Sequence, residues 1–318
     1  MVEGLGSKPW MHILSSGTTG QAKRVAITHD LGAARAQVRY GLAPTDRVMV
    51  HVGAGVTGGL MPVMSALLAG GTAIMADGLH PAEALESLRG HAPHHLFLST
   101  GHATQLIAWM QGKGLHGGMV CPRLRSLHVA GSPVSPALAR KLQQGFGASS
   151  VHIHYGSTET GPLTLRRLTT DALQEGDVGR PHPWVRVEAV GTDGTPLPRG
   201  VTGLLRFRSH LAAAEYVADD GASQLAFRDG WVYLGDRGRV MEDGSVRIDV
   251  EVPRKEAHWL RTSSVFTLSR GLVGNTAIRA YSGILADPPL PDGAMRKVLV
   301  GDAAAEVPKL VSQAREVL

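Results

Sequence analysis

The sequence predicts a layered α/β protein. Through the first two thirds of the chain, short β-like runs alternate with segments at helical spacing. Near Pro183 the texture changes, and short strands then follow one another with turns such as Gly191-Thr-Asp-Gly194 and Glu242-Asp-Gly244 between them. The expected organisation is a sheet-and-helix core over residues 1–183, a β-rich subdomain over 184–249 and an α+β segment over 250–318.

The strands expected in the core are Met11–Leu14, Arg24–Ile27, Arg47–Val52, Thr72–Ala76, His95–Leu98, Ser126–Ala130 and Val151–Tyr155. Between them, Pro81 to Arg89 sets Leu85 and Leu88 on one face with Glu83 and Glu86 outside, a short amphipathic helix. Ser135-Pro136 is a cap followed by a first-turn proline, and Leu138, Leu142 and Phe146 line one face before Gly145 or Gly147 ends the helix. The β-rich part is expected to hold Val185–Val190, Gly203–Arg208, Trp231–Leu234, Gly238–Met241 and Ser245–Asp249. Beyond Val250 the clearest signal is Val307 to Leu318, where Val307, Leu310, Val311, Ala314 and Val317 recur at helical spacing.

Composition narrows the function. With 318 residues, 43% apolar and 19% charged, the chain builds a core and is not disordered. The single cysteine, Cys121, excludes an intramolecular disulfide and a cysteine-rich zinc site, and suits a reducing, cytoplasmic setting. Net charge is +5, but the basic residues gather only as Arg166-Arg167 and as Arg206 with Arg208. That predicts mild attraction for anions and no nucleic-acid partner. The most apolar stretch, Leu60 to Ala76, is interrupted by Pro62 and Gly70-Gly71, so no membrane span is expected. The fifteen histidines show no pair at a strong metal-ligand spacing, and His91, His94 and His95 beside Pro93 suggest a loop; no zinc site is expected.

Four segments can carry chemistry. Ser15-Ser-Gly-Thr-Thr-Gly-Gln-Ala-Lys23 lies between two apolar strands; its glycines let backbone approach phosphate oxygens, its hydroxyls donate to them and Lys23 adds a positive charge. The spacing is not the Walker pattern, and a polar surface hairpin uses the same residues. Tyr155-Gly-Ser-Thr-Glu-Thr-Gly161 follows a strand, which puts hydroxyls and a carboxylate where α/β sheets bind ligands; the competing reading is a turn with Thr158 or Glu159 starting a helix. Trp231-Val-Tyr-Leu-Gly-Asp236 offers an aspartate able to accept from a diol, or an ordinary turn aspartate. Ala130-Gly-Ser-Pro-Val-Ser135 lies at a strand-to-helix junction and either lines a base or merely turns and caps.

In this order the four segments resemble the adenylate-forming (AMP-binding) superfamily, which includes acyl-CoA synthetases and adenylation domains; the likeness runs from Met11 to Asp249. The resemblance implies an AMP-binding core and activation of a carboxylic acid by ATP and magnesium. An acyl-adenylate forms, and the acyl group passes to coenzyme A or to a phosphopantetheine arm on an acyl carrier protein. It implies catalytic roles for Lys23, Thr158 and Glu159, with Glu159 on magnesium and Thr158 at the α-phosphate. Ser15, Ser16, Gly17, Thr18, Thr19 and Gly20 would cradle the pyrophosphate part. Gly131, Ser132 and Pro133 would lie against adenine with Tyr155, Gly156 and Ser157, while Asp236 would bind ribose. His51, Gly53, Ser99, His102 and His154 would border the acid.

Two departures from the family pattern carry expectations. The Ser/Thr-Gly loop stands at Ser15, without the long segment that precedes it elsewhere, which favours a homo-oligomer or a complementing subunit. Leu290-Pro-Asp-Gly-Ala-Met-Arg-Lys-Val-Leu299 faintly resembles the family's terminal lysine segment, with Ala294 at the lysine position and Arg296 or Lys297 as the nearby cations; the C-terminal domain is expected to be reduced. Loss of that charge implies slowed adenylation. The alternative is a catalytically impaired nucleotide- or adenylate-binding protein acting as a partner or regulatory subunit.

Overall fold

In the computed structural model, residues 6–16, 22–38, 40–76, 78–115, 120–148, 150–168, 173–249, 265–270, 276–281, 288, 290 and 298–300 are described. The chain forms two compact units, Met1–Asp249 and Val250–Leu318.

The first unit opens with a hairpin. Strands β1 (Pro9–Ser16) and β2 (Ala22–Thr28) pair antiparallel with Ser15 opposite Lys23, so residues 17–21 connect them. Ile13, Val25 and Ile27 bury one face of it with Ala213, Tyr216 and Ala226. Helix α1 (His29–Ala36) follows at once, its first turn capped by Thr28 Oγ1 accepting from the Leu31 N–H at 3.2 Å.

The main sheet is doubly wound in its first half. Strands β3 (Arg47–His51), β4 (Thr72–Met75), β5 (His95–Ser99), β6 (Ser126–Ala130) and β7 (Ser150–Ser157) run parallel in the order β4-β3-β5-β6-β7. Their connections are α2 (Thr57–Leu68), α3 (Pro81–His91), α4 (Thr100–Gly112) and α5 (Pro136–Phe146). Alternation along each strand divides the apolar side chains between the faces. Met49, Leu96, Leu98, Leu127, Val129, Val151 and Ile153 pack with α3, α4 and α5, whereas Val48, Val50 and Phe97 pack with Ala66 of α2. Helices α2 and α4 therefore cover opposite faces. Caps match the expectation for α5, with Ser135 at its start and Gly147 at φ +61° past its end. Pro62 lies inside α2 instead of ending it, past the first turn, where it forgoes one intrahelical hydrogen bond; the helix closes only at Gly70, at φ +82°.

Antiparallel strands continue the same sheet. β8 (Gly161–Leu168) pairs with β7, β9 (Asp177–Pro181) with β8, and β15 (Val246–Asp249) with β9. Beyond them come β10 (Val185–Val190), β11 (Gly203–Ser209), β12 (Phe227–Arg228), β13 (Trp231–Val232) and β14 (Arg237–Val240), with the short helix α6 (Asp220–Ala226) between β11 and β12. The sheet is thus continuous across residue 183. Tyr233 and Leu234, expected in a strand, lie past β13.

In the second unit, β16 (Val265–Arg270) pairs antiparallel with β17 (Thr276–Tyr281) and parallel with β18 (Val298–Val300). Ala294, Arg296, Lys297 and the helix expected over 307–318 lie outside the described residues. Among the described residues no helix is long and apolar enough to cross a membrane. Packing predicts that Leu142→Ala, at a fully buried site on α5, lowers stability by about 2–5 kcal/mol, whereas Leu225→Ala, exposed on α6, changes it by less than about 0.5 kcal/mol; urea unfolding measures both.

Candidate active site

The parallel strands choose the place. α2 leaves β3 over one face and α4 leaves β5 over the other, so a crevice opens beyond the carboxyl ends of these neighbours. His51 ends β3 and His102 lies in the first turn of α4, and their rings approach to 4.6 Å at 58°. Gly53 lies in the loop after β3; a side chain at Gly59 would strike the Gly53 carbonyl at 2.1 Å. Ser99 is spent on structure: its Oγ caps α4 by accepting from the His102 N–H at 3.2 Å. After β6, Gly131 sits at φ +90° with open space where a side chain would stand. The next residues, Ser132 and Pro133, are tied to α4 by Thr100 Oγ1, which donates to the Ser132 carbonyl at 2.9 Å.

The Tyr155–Gly161 segment is the tip of the β7–β8 hairpin, not the start of a helix. Gly156 is demanded by packing, since a Cβ there would lie 2.2 Å from the Gly161 carbonyl oxygen. Ser157 and Thr160 hydrogen-bond each other across the turn, and Thr158 Oγ1 lies 3.5 Å from Thr57 Oγ1 at the start of α2. Glu159 is buried. Its Oε1 accepts from the Tyr216 hydroxyl at 2.9 Å, and its carbonyl accepts from the Ala213 N–H at 2.6 Å.

Two residues that sequence reasoning missed hold this turn. Arg35 of α1 is 1% exposed; its Nε donates to the Leu211 carbonyl at 2.9 Å and its Nη2 to the Glu159 carbonyl at 3.3 Å. Burial lowers its pKa to about 10, against the raising influence of Glu159. Tyr216 connects Glu159 to the first hairpin, because Lys23 Nζ lies 4.8 Å from its ring centroid and Val25 bridges to it. Burial, with the Glu159 carboxylate beside it, pushes the Tyr216 hydroxyl pKa up.

Of the predicted phosphate loop, Gly17, Thr18, Thr19 and Gly20 lie outside the described residues. Ser15 and Ser16 end β1, and the Ser15 hydroxyl is buried with no partner among the described residues. Tyr155 and Asp236, far apart in sequence, meet: the phenol donates to Asp236 Oδ2 at 2.5 Å, and burial and that carboxylate raise the Tyr155 pKa well above its usual value. The Tyr155 ring tilts against Phe207 at 5.8 Å.

His154 lies apart from His51 and His102 in a different network. His95 Nε2 is 2.9 Å from Asp46 Oδ2, His95 Nδ1 is 2.6 Å from Ser126 Oγ, Ser126 Oγ is 2.8 Å from His128 Nε2, and His128 Nδ1 is 3.0 Å from His154 Nε2. An ionised carboxylate only accepts, which sets the direction when the rings are neutral. His95 donates to Asp46 and accepts from Ser126; Ser126 accepts from His128; His128 accepts from His154. The chain ends on His154 Nδ1, a buried lone pair without a partner. The loop expected around His91, His94 and His95 holds for His94, between α3 and β5, and is corrected for the other two: His91 ends α3 and His95 opens β5.

The sequence profile of the AMP-binding enzyme family matches residues 6–217. The chain belongs to that family. It is 26% identical over 252 residues to an indoleacetate–CoA ligase of Aromatoleum aromaticum, covering 78% of this chain and 48% of that protein. It is 27% identical over 257 residues to ScoC, a fatty acid–[acyl-carrier-protein] ligase of Streptomyces coeruleorubidus, covering 76% and 47%. The fold matches ATP-bound MatB of Rhodopseudomonas palustris with a TM-score of 0.66 at 25% identity, over 74% of this chain and 47% of that one. The chain spans about half the length of these relatives. Both curated relatives are named as ligases and neither as a regulatory subunit, so they give the impaired-partner alternative no support.

Burial lowers the His152 pKa to about 4 and the His154 pKa to about 3, with neighbouring charged groups assisting. In the unfolded chain both rings take up protons near pH 6.5, so the native state loses stability as pH falls from there. With divalent cations chelated, the urea midpoint is expected to drop between pH 6.5 and pH 5, at up to about 1.4 kcal/mol per pH unit per histidine. A midpoint flat across that window contradicts neutral buried rings.

Proposed function

We propose that this chain forms an acyl-adenylate from ATP and a carboxylic acid and passes the acyl group to a thiol, that of coenzyme A or of a carrier protein's phosphopantetheine arm. What supports the reading is the convergence of Lys23, Tyr216, Glu159 and Thr158 beside the carboxyl edge of the parallel sheet, in a chain whose family is that of AMP-binding enzymes.

The residues fit the groups required. Ser15 Oγ is a buried hydroxyl without a partner among the described residues, suited to a phosphate oxygen, and Lys23 stands opposite it across the hairpin. With Ser16, Gly17, Thr18, Thr19 and Gly20 they hold the pyrophosphate part. Glu159 is a hard oxygen donor that suits magnesium. Its backbone is clamped by Arg35 and Ala213, so the carboxylate is presented from a rigid turn. Magnesium supplies charge neutralisation at the phosphates. Gly131, followed by Ser132 and Pro133, has open space that suits a flat base, with Tyr155, Gly156 and Ser157 along the β7 side, and Asp236 accepts from a ribose diol. His51, Gly53 and His102 border the acid, with Ser99 holding the first turn of α4 beside them.

In the first step a carboxylate oxygen bonds to the α-phosphorus and the bond to pyrophosphate breaks. In the second the thiol sulfur bonds to the acyl carbon, AMP leaves with the electron pair and the thiol proton is released. Neither step needs the protein to form a bond, so Lys23, Thr158 and Glu159 act by orientation and charge. Acid-dependent pyrophosphate release, tested with fatty, aryl and amino acids, is expected to fall about 10²- to 10³-fold in both Lys23→Ala and Glu159→Ala. A folded protein that binds ATP yet releases no pyrophosphate with any acid overturns the reading.

A further inference from the structure

We propose that His128, His152 and His154 form a binding site for a late first-row divalent cation, zinc foremost, that ties β6 to β7. The inference goes beyond the adenylation reading and does not rest on it. One ring nitrogen from each histidine lies within 4.8 Å of the others. His128 and His152 are register partners on adjacent parallel strands, and His154 follows on the same face two residues later. Rigid strands therefore gather the ligands, and no spacing within a single segment announces them.

One pair of ring nitrogens is close to the spacing that a tetrahedral ion requires. Two Zn–N bonds of about 2.0–2.1 Å at a tetrahedral angle separate their nitrogens by about 3.3–3.4 Å. His128 Nδ1 and His154 Nε2 are 3.0 Å apart and share a proton where the cation would sit. His128 already presents a lone pair at Nδ1. His154 presents one at Nε2 once its proton moves to Nδ1, an atom that has no partner in the metal-free protein. An all-imidazole donor set selects zinc, copper, nickel or cobalt over magnesium and calcium.

The surroundings hold the rings in place. His128 Nε2 reaches Ser126 Oγ, and through it His95 and the Asp46 carboxylate, an outer support of the kind that orients metal-binding histidines. His152 Nε2 lies 2.9 Å from Ser150 Oγ. Phe97 stacks on His128 at 4.1 Å, and Tyr40 meets His128 and His154 edge-on at 6.0 and 5.5 Å. The cation nearest in register is Arg167, opposite His152 on β8; its side chain is exposed and its charge solvated. His152 and His154 are half-buried, so the group is not sealed from solvent.

The test is zinc titration of chelator-stripped full-length protein by calorimetry, with magnesium titrated in parallel. One zinc per chain is expected, with no magnesium binding at this site. Zinc affinity should fall at least about tenfold in His128→Gln and in His154→Gln, and about 10- to 100-fold in Ser126→Ala, while the exposed-site control His12→Gln leaves it unchanged. Circular dichroism of each metal-free variant checks the fold. Because a variant that fails to fold proves nothing, X-ray absorption of zinc-loaded wild-type protein supplies an independent reading and should show three imidazoles on zinc. Zinc affinity equal in wild type and a folded His128→Gln, or a zinc shell with fewer than three imidazoles, overturns the proposal. These readouts are blind to pyrophosphate release, so failure here and failure of the adenylation reading are distinguishable.

Discussion

The buried guanidinium of Arg35 is the constraint on which the site geometry rests. A cation that is 1% exposed is costly unless its donors are used, and here Nε and Nη2 grip the carbonyls of Leu211 and Glu159, residues from two different connections of the sheet, while Nη1 is buried without a partner among the described residues. Helix α1 thereby fixes the tip of the β7–β8 hairpin and the segment after β11 in one arrangement. Everything that the tip presents, from Thr158 to the Glu159 carboxylate, inherits its position from that clamp. Carbonyls serve this purpose better than a carboxylate would, since they hold the cation without neutralising the side chain displayed beside them.

The β7–β8 hairpin also changes the character of the sheet. From β3 to β7 the strands of the main sheet are parallel and covered by helices; from β8 onward they are antiparallel. A parallel strand ends where its ligand-facing edge begins, and an antiparallel return lets the chain stay at that edge. The hairpin delivers a turn rich in hydroxyls at the sheet's carboxyl side, and β11 to β14 then bring Asp236 back towards Tyr155.

Much of this was legible in sequence wherever the determinant was local. Ser135, Pro136 and the Leu138-Leu142-Phe146 face specified α5 because caps and amphipathic spacing act within a few residues. Strands β3, β5, β6 and β10 were legible as short apolar runs between turns. Helix α2 was not, since its glycines and Pro62 disfavour a helix locally and burial of Met61, Ser65 and Ala66 overrides them. The hairpin at Tyr155–Gly161 was open to a helical reading because the Ser/Thr-rich turn caps either element equally well. Arg35 and Tyr216 carry no local signature: each touches Glu159 from 124 and 57 residues away. The histidine group was hidden for the same reason, its members being neighbours through strand register and not through spacing.

The hydrogen bond from Tyr155 to Asp236 has a further consequence. An ionised carboxylate has about four lone-pair sites, so Oδ2 keeps the phenol as an internal donor at 2.5 Å while Oδ1 stays able to accept from an arriving hydroxyl. The phenol acts as a splint. It fixes the orientation of the carboxylate before anything binds, so that ordering is completed on folding and is not left for the ligand to impose.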